Sequence, residues 1–386
     1  MRDSSQRQDF DVLVLAPTYP PAFRAGGPAR TLEALVELAP SNFHSWVIAP
    51  NRDLGSNDDL DVPVNVWNTV ANISTKYIRE HKLIQAFRQI QSTKTLKPNL
   101  VYVNSFSHPV FALIPYFLFA LGNWPKAKLV VAPRGEMDPN ALRVRGKIKS
   151  LIIWFLKATG FSKKMIWQAS NEREAIHIKK VWGAQTSIII REDETSLPYS
   201  ADTPQEHQGN LRFGFVSRIV PNKGVLEAIQ AVLTLNQPVQ LDIYGPEEDV
   251  TYVEKCRHTA SGANTNCTIR FNGPIDHSQV RKTLATFDAF VFPTYFENFS
   301  HAIAESLSVS TPVISPDTTP WTEVLSRGGG RVIGTSTGTT LPEILKEISD
   351  MSPQELLEFR TTSGFAYNNW RQKNAEKHIF ELAINS

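Results

Sequence analysis

Cysteine is nearly absent from this chain of 386 residues. The two thiols, Cys256 and Cys267, do not stand in C-x-x-C spacing, which excludes a disulfide scaffold and a cysteine-built metal site and points to a reducing compartment. Long apolar runs are missing too: none reaches the roughly 20 residues that a membrane-spanning helix needs. The opening MRDSSQRQDF is polar and lacks the apolar core of a secretory signal, so a cytoplasmic setting is expected. There is no low-complexity tract and no short-period repeat. The G-x-G-x-x-G dinucleotide fingerprint is absent, which counts against a nicotinamide oxidoreductase.

What remains is the composition of a globular protein, 41% hydrophobic and 20% charged, with ample apolar side chains for a core. The length suits two domains of about 150–200 residues each. The net charge of +2 hides an asymmetry. Residues 1–195 hold 25 Lys/Arg against 17 Asp/Glu, and residues 196–386 hold 15 against 21. Between Pro139 and Asn171 lie Arg143, Arg145, Lys147, Lys149, Lys157, Lys163 and Lys164, with no acidic residue. A basic half suggests an anionic partner: a membrane surface, a nucleic acid or an acidic polymer. No nucleic-acid motif is present and aromatics are not interleaved with the charges, which argues against nucleic acid.

Short β-branched runs alternate with amphipathic segments of helix length, the signature of α/β folding on parallel sheets. The first series of strands is expected at Asp11–Ala16, Ser45–Ala49, Val62–Trp67, Leu100–Asn104, Lys128–Ala132, Met165–Gln168 and Ser187–Ile190, with helices such as Pro28–Leu38 and Tyr77–Gln91 between them. The polar stretch Glu192–Gln208 reads as a linker. A second series follows at Leu211–Val216, Val239–Tyr244, Thr268–Phe271, Ala289–Phe292 and Pro312–Ile314, with helices over Gly224–Thr234 and Ser278–Thr286. Two Rossmann-like parallel-sheet domains facing a central cleft are expected: 1–195, joined by 368–386, and 205–367. Ser363–Ile384 reads as one or two helices, crossing back to the first domain. Ligands in such folds bind at the carboxyl ends of the strands.

Three loops carry candidate chemistry. After the first strand, Gly26-Gly27 opens a helix, either as a plain turn or as a phosphate cradle of free N–H groups. After Leu211–Val216, Arg218 and Lys223 flank a strand–loop–helix junction, as solvated charges or as two grips on a diphosphate. In FDAFVFPTYFENFSHAIAESLSVSTPVISP, Glu297 and Glu305 are eight residues apart, roughly two helical turns, so both carboxylates could face one ligand. The alternative is an acid at a helix start and a solvated helix face.

Together, the loop glycines, Arg218, Lys223-Gly224 and the Glu297/Glu305 pair before TPVI resemble family 4 of the retaining glycosyltransferases, with the GT-B fold. The stretches VVAPRGEMDPNAL (130–142) and TTPWTEVL (318–325) look like a subfamily that builds exopolysaccharide, capsule and O-antigen. The resemblance implies a hexosyltransferase that uses a UDP- or GDP-sugar and a glycan or polyprenyl-diphosphate-linked acceptor, without a metal or other cofactor. Gly26 and Gly27 would then offer N–H groups to the donor phosphate or sugar. Arg218 and Lys223 would neutralise the diphosphate, Glu297 would bind the transferred sugar, and Glu305 the ribose. Backbone N–H groups of Asn298, Phe299 and Ser300 would reach the phosphates, and the chain at Pro274 and Ile275 would border the base. The chain departs from the family pattern at Ser300 and Ser310, where glycine is usual. It also has Arg134, in APRG, where relatives carry a histidine. Arg134 could touch sugar or phosphate, or pair with Glu136 or Asp138. His108 is a second first-domain candidate, or a satisfied loop histidine. A nucleotide-sugar 2-epimerase and a non-catalytic sugar-nucleotide-binding protein are the competing readings.

The apolar stretch Leu151–Leu156, flanked by cations, fits a helix resting on anionic lipid at the inner face of the plasma membrane, or an internal helix with basic ends. The run VFALIPYFLFALG at 110–122 is too short to span a bilayer and reads as a buried helix.

Overall fold

Strands of a parallel sheet covered on both faces read as unbroken apolar runs, because neither face meets water. Two sheets of this kind organise the computed structural model, which describes residues 8–22, 24, 26–143, 146–204, 206, 209–263, 266–334, 338–373 and 377–386. The chain divides into two compact units, Met1–Ser196 with Glu376–Ser386, and Leu197–Ala375.

The first unit holds β1 (Phe10–Leu15), β2 (Phe43–Pro50), β3 (Asn68–Val70), β4 (Ile73–Ile78), β5 (Leu100–Val103), β6 (Lys128–Val131), β7 (Met165–Ala169) and β8 (Ile188–Ile190), in the order β3-β4-β2-β1-β5-β6-β7-β8. All neighbours are parallel except the β3–β4 hairpin. Side chains alternate between the faces. Leu13, Leu15, Val101 and Val103 enter one core, and Val12, Val14, Leu100 and Tyr102 the other. The last helix, Ile379–Asn385, covers the second of these with Ile379, Phe380 and Ala383. Its entry is fixed by His378: Nδ1 accepts from the Phe380 N–H at 3.2 Å, and Nε2–H donates to the Leu35 carbonyl at 2.9 Å.

Three sequence expectations change here. Val62–Trp67 is not a strand: Pro63 has no N–H to give a ladder and Asn65 has φ +64°. Pairing starts later, and β4 turns Ser74, Lys76 and Ile78 to its fully buried side, so its polar residues lie inward. The helix expected over Tyr77–Gln91 therefore begins only at Leu83. The stretch from Glu192 carries the boundary between the units, yet Arg191, Asp193, Glu194 and Thr195 are buried, with Arg191 3.0 Å from Glu194. Gln205, His207 and Gln208, in the same expected linker, lie outside the described residues.

The second unit holds β9 (Leu211–Val216), β10 (Val239–Tyr244), β11 (Cys267–Gly273), β12 (Ala289–Val291), β13 (Val313–Pro316) and β14 (Gly330–Ile333), all parallel, in the order β11-β10-β9-β12-β13-β14. The last strand has no counterpart in the sequence pattern, because three glycines introduce it. Gly330 is needed there: a Cβ would come 1.8 Å from the Val313 carbonyl oxygen. The long helix Pro353–Lys373 stays with this unit. Tyr367 and Trp370 enter its core, the Tyr367 hydroxyl donates to the Pro198 carbonyl at 2.6 Å, and Arg371 donates to the Leu197 carbonyl at 2.7 Å. Residues 368–373 therefore stay in the second unit, and the described chain belongs to the first unit again from Lys377 on.

Ser300 and Ser310 have φ of +73° and +56°. The chain keeps the left-handed backbone that glycine adopts freely and accepts the steric cost of a side chain there, about 1–2 kcal/mol per residue. At Ser310 the hydroxyl offsets part of this by donating to the Asp202 carbonyl at 2.5 Å.

Two outcomes follow for stability. Ser300 makes no side-chain capping bond, so Ser300→Gly raises the urea midpoint by the equivalent of about 1 kcal/mol, and Ser310→Gly gains less. Burial, the largest cause, lowers the His378 pKa from 6.5 to about 4, with Arg191 adding to the shift and the Leu35 hydrogen bond opposing it. The unfolded chain then binds a proton that the folded one refuses, so this contribution is complete above pH 6.5 and is lost as pH falls toward 4. Between pH 7 and pH 5 the wild type loses about 2 kcal/mol more than His378→Gln, read by chemical denaturation at each pH.

Candidate functional site

The order of the second sheet reverses between β9 and β12, and in open α/β sheets the crevice forms at the carboxyl ends of such strands. Leaving β9, the chain buries Ile219, turns through Pro221–Lys223 and enters the helix Val225–Val232 at Gly224. Gly224 has φ +76°, and a Cβ there would lie 2.2 Å from the Pro293 carbonyl oxygen. Only glycine satisfies both demands. The two loops are joined further by the Tyr295 N–H, which donates to the Asn222 carbonyl at 3.0 Å.

This junction brings Lys223 and Glu297 together. The ammonium donates to a Glu297 carboxylate oxygen that also accepts from the Thr294 hydroxyl at 3.0 Å. Each side chain of the pair is 13% exposed, so removing either would leave the other charge poorly compensated. Arg218 stands at the end of the same strand but turns to Glu248, 3.1 Å away, both about half exposed. An exposed pair of this kind is weak, which leaves the guanidinium available to an anion.

Glu305 is buried, on the short helix His301–Leu307, so it is not a solvated helix face. The His277 Nδ1 lies 3.6 Å from its Oε1. His277 starts the helix that follows β11, and Ile275, two residues earlier, is half-buried against the second core. Asn298, Phe299 and Ser300 lead into the Glu305 helix. Phe299 is buried with its ring 5.5 Å from Trp321 and 6.3 Å from Trp370, and the Trp321 indole N–H donates to the Phe299 carbonyl. Sequence reasoning did not assign Thr294, His277 or Trp370, and Trp321 entered only within TTPWTEVL. The contacts of His277, Trp321 and Trp370 are set by folding between distant segments and leave no local signal, and Thr294, three residues before Glu297, stands in a loop with no pattern of its own.

In the first unit the order reverses between β1 and β5. Gly26 (φ +62°) precedes the helix Gly27–Glu37, with nothing within 4 Å of where a Cβ would stand. The loop before it is tied down by the Arg24 N–H, 3.2 and 3.1 Å from the two Asp53 carboxylate oxygens. Arg134, at the end of β6, faces inward. Its Nε donates to Asn104 at 2.8 Å, Nη2 to the Tyr102 hydroxyl at 2.7 Å, and Nη1 to Asp193 and to Ser170. Its ion-pair partner is therefore Asp193, not Glu136 or Asp138. Burial, the largest single influence, disfavours its charge, but Asp193, Tyr102, Glu174 and Glu194 together outweigh it and raise the pKa above its ordinary value. Beside it, burial raises the Glu174 pKa, while the Ser170 and Gly135 N–H groups donate to its carboxylate at 2.8 and 2.6 Å.

His108 caps the turn Pro109–Leu113. Nδ1 accepts from the Val110 and Phe111 N–H groups, both at 3.3 Å, and Nε2 lies 3.6 Å from Glu80. This is the satisfied loop histidine. Of the basic segment, Lys149 is buried, donating to the Ala141 carbonyl at 2.9 Å with Glu136 3.9 Å away, so it leaves the expected surface patch. Arg143, Lys147, Lys157, Lys163 and Lys164 are exposed, and Arg145 lies outside the described residues. Among the described residues no group of His, Cys, Asp and Glu forms a metal-holding cluster, and no helix is long and apolar enough to cross a membrane.

A family model described as "Glycosyl transferases group 1" matches residues 202–356. A GDP-mannose-dependent alpha-mannosyltransferase of Corynebacterium glutamicum is 32% identical over 103 residues, 27% of this chain and 22% of the relative. A glycogen synthase of Mycobacterium tuberculosis is 22% identical over 61% of this chain and 56% of its own length. The chain thus spans about a fifth and little over half of these relatives. Among solved structures, sucrose-phosphate synthase from Thermosynechococcus elongatus superposes with a TM-score of 0.68 at 14% identity, over 98% of this chain and 97% of that one. Residues 202–356 thus match the glycosyl transferases group 1 family, and the two parallel-sheet units have the GT-B fold.

Proposed function

We propose that this chain is a retaining hexosyltransferase of glycosyltransferase family 4. It moves a hexose from a UDP- or GDP-sugar to a glycan or polyprenyl-diphosphate-linked acceptor in bacterial surface polysaccharide synthesis, such as O-antigen or capsule. The observation that carries the reading is the Lys223–Glu297 pair at the carboxyl ends of β9 and β12. A cation and a carboxylate held side by side at a switch point suit a ligand that is anionic at its diphosphate and hydroxylated at its sugar. The GDP-mannose dependence of the Corynebacterium relative supports a nucleotide sugar as donor.

In this reading the bond between sugar C1 and the β-phosphate oxygen breaks, and the acceptor oxygen bonds C1 on the same face. The acceptor proton passes to the departing phosphate, which leaves on the nucleoside diphosphate. Lys223 and Arg218 meet the charge that grows on the leaving group, the task a divalent ion performs elsewhere. Glu297 accepts from sugar hydroxyls, Glu305 from the ribose, and Ile275 borders the base. The N–H groups of Asn298, Phe299 and Ser300 face the phosphates.

Thermal melting with a panel of UDP-, GDP-, ADP- and dTDP-sugars tests donor binding. A donor at a hundred times its dissociation constant adds roughly 2.7 kcal/mol, and the shift persists in EDTA. With that donor, Lys223→Ala and Glu297→Gln each lower the transfer rate by about 100- to 1,000-fold, and the product's anomeric coupling by NMR matches the donor's. Full transfer by Glu297→Gln would sink the assignment of this site, and a folded protein that shifts with no nucleotide sugar would sink the donor.

A further inference from the structure

We infer that the helix Gly146–Ala158 lays the first unit on an anionic lipid surface. In sequence the segment GKIKSLIIWFLKA admits a buried helix equally well, and the structure leaves one of its apolar faces exposed. Ile148, Leu151, Trp154 and Phe155 are 57, 64, 65 and 56% exposed, while Lys149 and Leu156 are buried and Ile152 and Ile153 are half-buried against the core. At about 100° per residue, the four exposed apolar side chains share an arc of roughly 120°, a single stripe turned away from the core. A soluble helix normally shows water its polar residues and keeps such a stripe for packing. Here a second apolar stripe is left facing water beside the one that packs, which calls for an apolar partner.

The surrounding charge specifies that partner. Lys147 stands on the exposed side at the start of the helix and Lys157 near its end. Just beyond, Phe161 is buried with its ring 6.4 Å from Tyr116 and 5.9 Å from Phe119, which anchors the next turn and leaves Lys163 and Lys164 exposed. No acidic residue lies between Pro139 and Asn171. An apolar stripe with large aromatic rings, bordered by lysines, matches the boundary between acyl chains and anionic headgroups. The helix has 13 residues, about 20 Å in length, so it would lie in the interface and not across it. The proposal does not depend on the transfer reaction.

Co-sedimentation with phosphatidylcholine vesicles, with and without about 30% phosphatidylglycerol, tests it at low and high salt. The wild type sediments with the anionic vesicles, stays in solution with neutral ones, and is released by salt. Leu151→Ser/Phe155→Ser and Lys147→Glu/Lys163→Glu each weaken partitioning at least about tenfold while melting like the wild type. Wild-type protein that ignores anionic vesicles overturns the proposal, as does either double variant binding like the wild type. Sedimentation velocity covers the competing occupant: a wild-type dimer that ignores vesicles and becomes monomeric in Leu151→Ser/Phe155→Ser assigns the stripe to a second copy and overturns the lipid surface.

Discussion

The second unit depends on one close approach, the backbone of Gly224 against the backbone of Pro293. Strands β9 and β12 are neighbours, and their loops leave in different directions around a common point. With no side chain at Gly224 these loops can touch, and the Asn222 carbonyl then accepts from the Tyr295 N–H. Lys223 and Glu297, separated by 74 positions in the chain, meet because they flank that contact. The ion pair is thus a product of backbone packing, and its geometry is as rigid as the junction beneath it. Preorganisation of this kind lets a charged site act without reorganising during reaction.

The first unit solves a different problem at the equivalent strand ends. Arg134, Asn104, Tyr102, Ser170 and Asp193 form a buried polar cluster in which each group satisfies another. Thr31, on the helix that follows Gly26, reaches Asp193 at 3.4 Å. The cluster therefore ties the β6 end, the crossing segment after β8 and the glycine-led helix into one network. Partly satisfied, such a network would be costly, and fully satisfied it specifies one arrangement. Arg134 links these elements through its hydrogen bonds.

Much of this was legible in the sequence. β9 and β10 coincide with their apolar runs because both sheet faces are covered and every residue in them is selected for burial or for the ladder. β4 escaped because its buried side carries Ser74 and Lys76, and β14 because glycine, required by the approach to Val313, reads as a loop. At the site, Lys223, Glu297 and Glu305 could be singled out from spacing and resemblance. What spacing could not give is which charges meet. Arg134 finds Asp193, 59 positions away, in preference to the nearer Glu136 and Asp138, and Phe299 finds Trp321 and Trp370. Contacts between distant segments are decided by how the sheets close, which local pattern does not encode.

The helix Ile379–Asn385 belongs to the first unit but follows the whole second unit in the chain. On the ribosome, Val12, Tyr102 and Phe43 are made early, and the face they share waits for Phe380, 5.8 Å from Tyr102 and 6.0 Å from Phe43 in the finished protein. Until Ile379 is made, Leu32, Leu35 and Val36 cover only part of that face and the rest stays open. Maturation of the first unit is therefore timed by completion of the second, and the incomplete chain is the species most in need of protection from aggregation.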